Sequence, residues 1–349
     1  MRPTTAMAVA KSKSVLPVLV LLVLAATLAW GEEAVPVNVD NFVRAESDHY
    51  FLKRQEDGYF GKLVPLRDPV DVKHQPAVRP NRDTLYSYGV FDLTTPVTIT
   101  FPGGGKRFQS LRIVDEDEYI YLDTTKPGTY VLTQDSVGTR YVHVSVRTLV
   151  NPDDPADIKA AHEQQDTVIA KQDAPGKLEL PNWDQDQLAQ VRKAILGLGP
   201  FLPHTLPDTH PMFGRKDQVD EVHHLIGAAG GWGGGPEESS MYVSVIPEKN
   251  DGKTPYALTV RDVPVDGFWS VSLYNKEGYF VENQFGAYSL NMYTAKPNAD
   301  GSFTINFGDA KQKNFLYIMP GWNYTVRLYL PRPVALNGTW TFPKPQPVK

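Results

Sequence analysis

Four polar residues crowd one short stretch, Asn81, Arg82, Asp83 and Tyr86, and a chemically similar set, Arg112, Asp115, Tyr119 and Tyr121, follows further along the chain. A guanidinium beside a carboxylate and a phenol can bind or polarise a ligand's carboxylate or carbonyl. The same residues around a strand start also serve as an ion-pair and turn-capping network that satisfies backbone groups. In a strand beginning near Asp83, the side chains of Asp83, Leu85 and Ser87 share one face while Thr84 and Tyr86 share the other, so the cluster divides between two faces.

The carboxylates Asp115, Glu116, Asp117 and Glu118 stand in a row. Calcium loops place oxygen ligands on alternate residues and turn on a glycine. This run has no glycine and reads as a solvated acidic turn. Among the histidines no pair has the spacing of a zinc hydrolase, and adjacent residues such as His223 and His224 point about 100° apart on a helix. Their helix runs into Gly230-Gly-Trp-Gly-Gly234, where Trp232 is the one large side chain. That segment is either a glycine-rich helix stop or a pocket wall beside an imidazole. A Gly-x-Ser-x-Gly elbow is absent, leaving Ser239 and Ser240 near a helix end, with His223 or His224 and Asp220 as the only hydrolase-like set. Gly103 to Gly105 lack the lysine and hydroxyl residue of a phosphate loop. Trp269, Tyr274, Tyr279, Tyr288, Trp322 and Tyr324 accompany Asn275, Asn283, Asn291 and Asn323, a mixture suited either to a sandwich core or to sugar and planar-ligand binding.

The elements that must hold these residues are short strands at both ends and helices between. Strands are expected over 85–93, 97–101, 107–114, 119–122 and 141–150, with Gly103 to Gly105 turning a hairpin. In the last of these, Tyr141, His143, Ser145 and Arg147 alternate with three valines, so one face is polar and the other enters a core. Asp154 and Pro155 open a helix running through Ala170. A second helix carries Leu188, Val191, Ile195 and Leu198, and a third spans about 217–229. Strands return over 241–246, 256–261, 268–274, 302–307, 324–330 and 339–342, with hairpins at Asn250-Asp-Gly252 and Asp300-Gly301.

Composition narrows the class. The chain has 349 residues, a net charge of −5, 29 prolines and no cysteine. Disulfides, thiolate metal sites and a cysteine nucleophile are thereby excluded. Scattered basic residues leave no footprint for nucleic acid. Arg2, Lys11 and Lys13 precede an apolar run from Val15 to Trp30, and small residues Ala29 and Gly31 precede a polar stretch. This is the order of a secretory signal peptide cleaved after Gly31, which predicts a periplasmic or secreted protein without a membrane-bound mature form.

Several segments together resemble one bacterial family, proteins that pair domains of unknown function 1254 and 1214. The first domain is suggested by Pro80-Asn-Arg-Asp-Thr-Leu-Tyr86, Gln109-Ser-Leu-Arg-Ile-Val-Asp115 and Gly138-Thr-Arg-Tyr141. The second is suggested by Gly230-Gly-Trp-Gly-Gly234, Val265-Asp-Gly-Phe-Trp-Ser270, Tyr288-Ser-Leu-Asn291 and Pro320-Gly-Trp-Asn-Tyr-Thr-Val-Arg-Leu-Tyr329. The resemblance implies an N-terminal mixed α/β domain and a C-terminal β-sandwich of jelly-roll type, and it brings no activity. Relatives often carry histidine where Glu118 stands, and alanine is usual where Ser239 and Ser240 stand.

The resulting expectation is an α+β, mostly β protein: signal peptide 1–31, N-terminal domain 32–180, helical connector 181–235 and C-terminal sandwich 236–349. An interdomain pocket would take a small molecule. Its candidate ligand-binding residues are Arg82, Asp83, Tyr86, Asp115, Tyr119, Trp232, Trp269 and Asn291, with Arg82 and Trp232 facing one cavity. His223 and His224 are the candidate acid/base residues. No metal, cofactor, nucleic acid or membrane partner is expected, and a homo-oligomer stays open. The protein is then either an enzyme acting on a carbonyl- or ester-bearing molecule or a noncatalytic periplasmic binding module.

Overall fold

Polar residues on the buried side of the first helix set the plan of the N-terminal half. The computed structural model describes residues 1, 33–75, 77–202, 209 and 211–348; the expected signal peptide, His204 and His210 lie outside them. Helix α1 (Phe42–Glu56) buries Phe42, Ala45 and Phe51 but also Glu46, Ser47 and Asp48. Strands β1 (Val64–Pro65), β2 (Thr84–Asp92), β3 (Val97–Phe101), β4 (Gln109–Asp115), β5 (Ile120–Thr124) and β6 (Gly128–Leu132) follow. After them come helix α2 (Gln134–Val137), β7 (Tyr141–Leu149), helix α3 (Pro155–Asp166) and β8 (Ile169–Gln172). They form an antiparallel five-stranded sheet, β1-β2-β7-β4-β5, and a three-stranded sheet, β6-β3-β8. A core of Val142, Val144, Val146, Leu111, Ile113, Ile99 and Phe101 joins the two sheets.

Helices α4 (Gln185–Leu196) and α5 (Glu221–Gly231) pack with α1 around Phe42, Leu188, Ile195 and Ile226. Asp220 opens α5 by accepting the backbone N–H groups of Val222 and His223, both at 3.0 Å. The chain then builds β9 (Ser240–Val245), β10 (Tyr256–Val260), β11 (Trp269–Tyr274), β12 (Ser289–Asn291), β13 (Phe303–Phe307), β14 (Phe315–Leu316), β15 (Asn323–Tyr329), helix α6 (Pro333–Leu336) and β16 (Gln346–Pro347). Two four-stranded sheets result, β12-β11-β15-β9 and β14-β13-β10-β16, around a shared core rich in Trp269, Val271, Phe307, Trp322 and Tyr324. Residues 34–349 form one compact unit. Among the described residues no helix is long and apolar enough to cross a membrane.

Two of the expected hairpins are corners between sheets. β3 pairs with β6 and β8, whereas β4 pairs with β5 and β7, so Gly103 to Gly105 carry the chain from one sheet to another. The turn at Asn250 to Gly252 likewise separates β9 from β10, which lie in different sheets. A turn's residues encode a reversal of direction and not the pairing partner. The helix expected through Ala170 ends at Asp166, because 169–172 pairs with β3. The last expected strand, 339–342, is not one; the edge strand is β16.

Candidate functional site

Strand register places two polar sheet faces against each other. In the five-stranded sheet Tyr86 lies opposite Arg147 and Tyr88 opposite Ser145. On the other side of β7, Ser110 lies opposite Arg147 and Arg112 opposite Ser145, and Arg112 in turn faces Asp123. Since Val144 and Val146 enter the core, these residues share the opposite face. Arg112 is held by Asp123 Oδ2 through Nε (3.0 Å) and Nη2 (2.6 Å), and its Nη1 donates to the Gly234 carbonyl at 2.7 Å. A Cβ on Gly235 would stand 2.0 Å from Arg112 Nη2, so any larger residue there would displace the guanidinium. Ser239 Oγ donates to the same Asp123 oxygen at 2.6 Å.

The facing surface belongs to β9, β15 and β11. Arg327 lies opposite Tyr242 on one side and Ser270 on the other, and Tyr329 lies opposite Ser240. The intervening Met241, Val271, Val326 and Leu328 fill the C-terminal core. Residues 79–83 run between the two faces. Arg327 donates to Ser272 Oγ (2.9 Å), the Arg79 carbonyl (2.8 Å) and the Tyr274 hydroxyl (2.8 Å), while Tyr274 donates to the Pro80 carbonyl at 2.7 Å. Asn81 Nδ2 reaches Tyr329 (2.9 Å) and Tyr86 (3.3 Å), and Asn291 Nδ2 donates to Asp83 Oδ1 at 3.2 Å. Burial pushes the Asp83 carboxyl up, against the nearby Arg327 charge.

Between these surfaces a recess of about 40 Å³ is lined by Ser110, Arg112, Asp123, Arg147, Ser239 and Ser240. Tyr242, on the facing surface, keeps 38% of its surface accessible. Burial alone would raise its phenol, but the charges of Arg147, Arg327 and Arg112 outweigh burial and hold it below a tyrosine's ordinary value. An aromatic wall continues from Tyr86 to Tyr88 (5.5 Å), His143 (5.5 Å) and Trp232 (5.3 Å), with the Arg54 guanidinium 4.2 Å above Tyr88. Burial, aided by Arg54, pushes His143 down to about 3, so this imidazole is neutral.

The residues expected from sequence scatter around this cleft. Asp83, Tyr86 and Asn291 meet in it. Asp115 accepts the N–H groups of Asp117 and Tyr119, each at 2.9 Å, and so closes the acidic turn. Tyr119 stacks on His224 at 4.8 Å, and both ring nitrogens of His224 face carbonyls, those of Met212 (2.8 Å) and Asp117 (2.9 Å). His223 contacts the capping Asp220 at 2.8 Å. Trp269 is 2% exposed in the C-terminal core beside Phe303 and Phe342, on the strand face turned away from Ser270, which takes it out of the cleft. Trp232 donates to Ser47 Oγ at 2.9 Å and stacks on Tyr50, whereas Arg82 donates to the Val70 carbonyl and lies over Tyr288. The cavity expected to join Trp232 and Arg82 therefore has no counterpart in their contacts: α1 absorbs the indole and the 70s loop the guanidinium. Sequence reasoning missed Arg147, Tyr242 and Arg327 as site residues, although the polar alternation around Arg147 was legible.

A larger recess of about 530 Å³ lies by β9 in the C-terminal half, lined by Met241, Val243, Val245, Leu328, Trp340 and Phe342 among others. Its apolar lining offers little chemistry. Among the described residues no group of three or more histidines and carboxylates is arranged to hold a metal.

Comparison with known proteins gives a family without an activity. Residues 60–172 match the model "Protein of unknown function (DUF1254)" and residues 247–333 the model "Protein of unknown function (DUF1214)". No curated protein matches. The crystal structure of the VPA0106 protein from Vibrio parahaemolyticus is similar in fold, with a TM-score of 0.67 at 19% identity over 90% of this chain and 100% of that one. An uncharacterised protein from Burkholderia cenocepacia aligns at a TM-score of 0.48 and 15% identity, over 84% of this chain and 85% of that one.

Proposed function

Because the chain belongs to the family that pairs domains of unknown function 1254 and 1214, and that family lends it no activity, we propose a reading from its own cleft: a small-molecule-binding protein whose ligand enters between the five-stranded sheet and the β9-β15-β11 face. The observation that carries it is the recess between two opposed polar sheet faces, lined by Ser110, Arg112, Asp123, Arg147, Ser239 and Ser240. Ligand pockets favour such junctions because each side supplies a rigid wall. Binding is preferred to ester hydrolysis because a hydrolase needs a base within reach of a nucleophile. His224 has neither ring nitrogen free, His223 is engaged by a helix cap, and Ser239 is bonded to a carboxylate rather than an imidazole.

The test is a thermal-shift and turnover screen of a metabolite and ester panel against wild type and Ser145→Phe, which fills the space between Tyr88 and Arg112. Compounds that stabilise wild type, are not consumed and lose their effect in the variant support binding. Stabilisation that Ser145→Phe leaves intact overturns the cleft as the site, and consumption of the compound returns the enzyme reading.

Export also belongs to the proposal, on the charge and apolar order of residues 2–31. The secreted product should begin at or next to Glu32 by mass spectrometry; a product retaining Met1 removes this part. The jelly-roll connection and the boundaries after residues 180 and 235 are proposed on the same footing.

A further inference from the structure

Arg147 is the arginine of the cleft that its neighbours leave without a hydrogen bond. Among the described residues its guanidinium takes part in no hydrogen bond and no ion pair, and its one ring contact is Tyr86, 5.9 Å away. Asp123 lines the same recess but is already engaged by Arg112 and Ser239. Arg327, which is buried, is bonded to hydroxyl and carbonyl oxygens and to no carboxylate. Four arginines, Arg79, Arg112, Arg147 and Arg327, therefore share this layer with two carboxylates, Asp83 and Asp123, inside a chain whose net charge is −5.

Arg147 is half-buried and its donors have no protein partner, which leaves them free for a ligand, and an arginine fork matches a carboxylate with two parallel hydrogen bonds. Resting on the cleft reading above, we infer that the ligand is a small organic monocarboxylate whose carboxylate is held by Arg147 in the recess beside Ser110 and Ser240. The recess, about 40 Å³, has room for roughly three waters, which is the scale of a carboxylate group. Asp123 in its wall repels a dianion, which favours a carboxylate over a phosphate monoester. The face of Tyr86 lies beside Arg147 and suits an apolar or planar remainder.

Calorimetric titration of the full mature chain with benzoate, benzamide and phenyl phosphate tests this, with Arg147→Met and Arg147→Lys beside wild type. Benzoate should bind at least about tenfold more tightly than benzamide and than phenyl phosphate, a difference that Arg147→Met abolishes and Arg147→Lys reduces. Without ligand, Arg147→Met should melt no lower than wild type, since Arg147 has no hydrogen bond or ion pair to lose; a residue with a structural role would melt lower. Benzamide binding as well as benzoate, with Arg147→Met indifferent to both, overturns the anion while leaving the cleft standing. Tighter binding of phenyl phosphate overturns the monocarboxylate. A wild type that takes none of the three probes, or an Arg147→Met variant that melts lower, counts against the inference itself; failure of the Ser145→Phe screen is what removes the cleft.

Discussion

Environment, not residue type, assigns the roles of the histidines. His224 is buried, joins the carbonyls of Met212 and Asp117 and stacks on Tyr119, so it fastens α5 to the acidic turn. Replacing it by alanine removes the imidazole lodged between these carbonyls together with its packed ring, and a loss of about 2–4 kcal/mol is expected in urea denaturation. His223, whose contact is an exposed pair with Asp220, should cost under about 1 kcal/mol as His223→Ala. A double alanine that loses ligand binding would thus act through stability. Equal, small effects of the two single changes would contradict this division.

Among the elements, α1 carries the most unusual burden. Its buried face holds Asp48, pushed up to about 7 by burial despite a hydrogen bond from Trp183 Nε1 at 2.8 Å. Nearby, burial pushes Asp115 up to about 7 as well, against the N–H of Tyr119. Both carboxyls stay protonated in the native state well above the ordinary value of 3.8, while the unfolded chain releases these protons near pH 4. Native protein therefore binds more protons than unfolded protein between about pH 4 and pH 7, and stability should fall across that window by a few kcal/mol, on the order of the two shifts discounted for coupling. His143, held down to about 3, works the other way up to about pH 6.5 and makes the decline shallower, while Asp251, held at about 2 by hydrogen bonds from Thr254 and Lys253, does so only below pH 4. Asp48→Asn should flatten the decline, near neutral at pH 4.5 and stabilising at pH 8. A melting temperature that rises from pH 4.5 to pH 8 in wild type would dispose of this account.

For the whole molecule, the polar layer between the two halves is the joint. Asp83, Asn291, Arg327, Tyr274 and Tyr329 hydrogen-bond across this contact beside an apolar patch of Phe108, Leu149 and Phe268, so its strength rests on both the polar network and the packed rings. Asp83→Ala removes the carboxylate that faces Arg327 and should cost about 3–5 kcal/mol, with Asp83→Asn costing less. Because the layer spans both halves, wild type should unfold in one transition with tryptophan fluorescence and circular dichroism superimposed. Two separated transitions in wild type would show that the joint does not couple the halves.

Local patterns in the chain were enough to place most strands, the cap of α3, the glycine stop of α5, the polar alternation of β7 and the family itself, because period and turn chemistry are properties of neighbouring residues. α1 escaped because its buried face is partly charged and breaks the apolar period. Which strand pairs with which, and so whether a glycine turn is a hairpin or a corner, depends on contacts between distant residues. The same holds for the site. Arg147 read as one polar residue in a strand, and only the approach of β9 and β15 left it facing a recess without a partner; Trp269 read as a candidate surface aromatic until the second sheet closed over it. Pairing partners and solvent access are decided by the packing of elements far apart in sequence, and no local period encodes them.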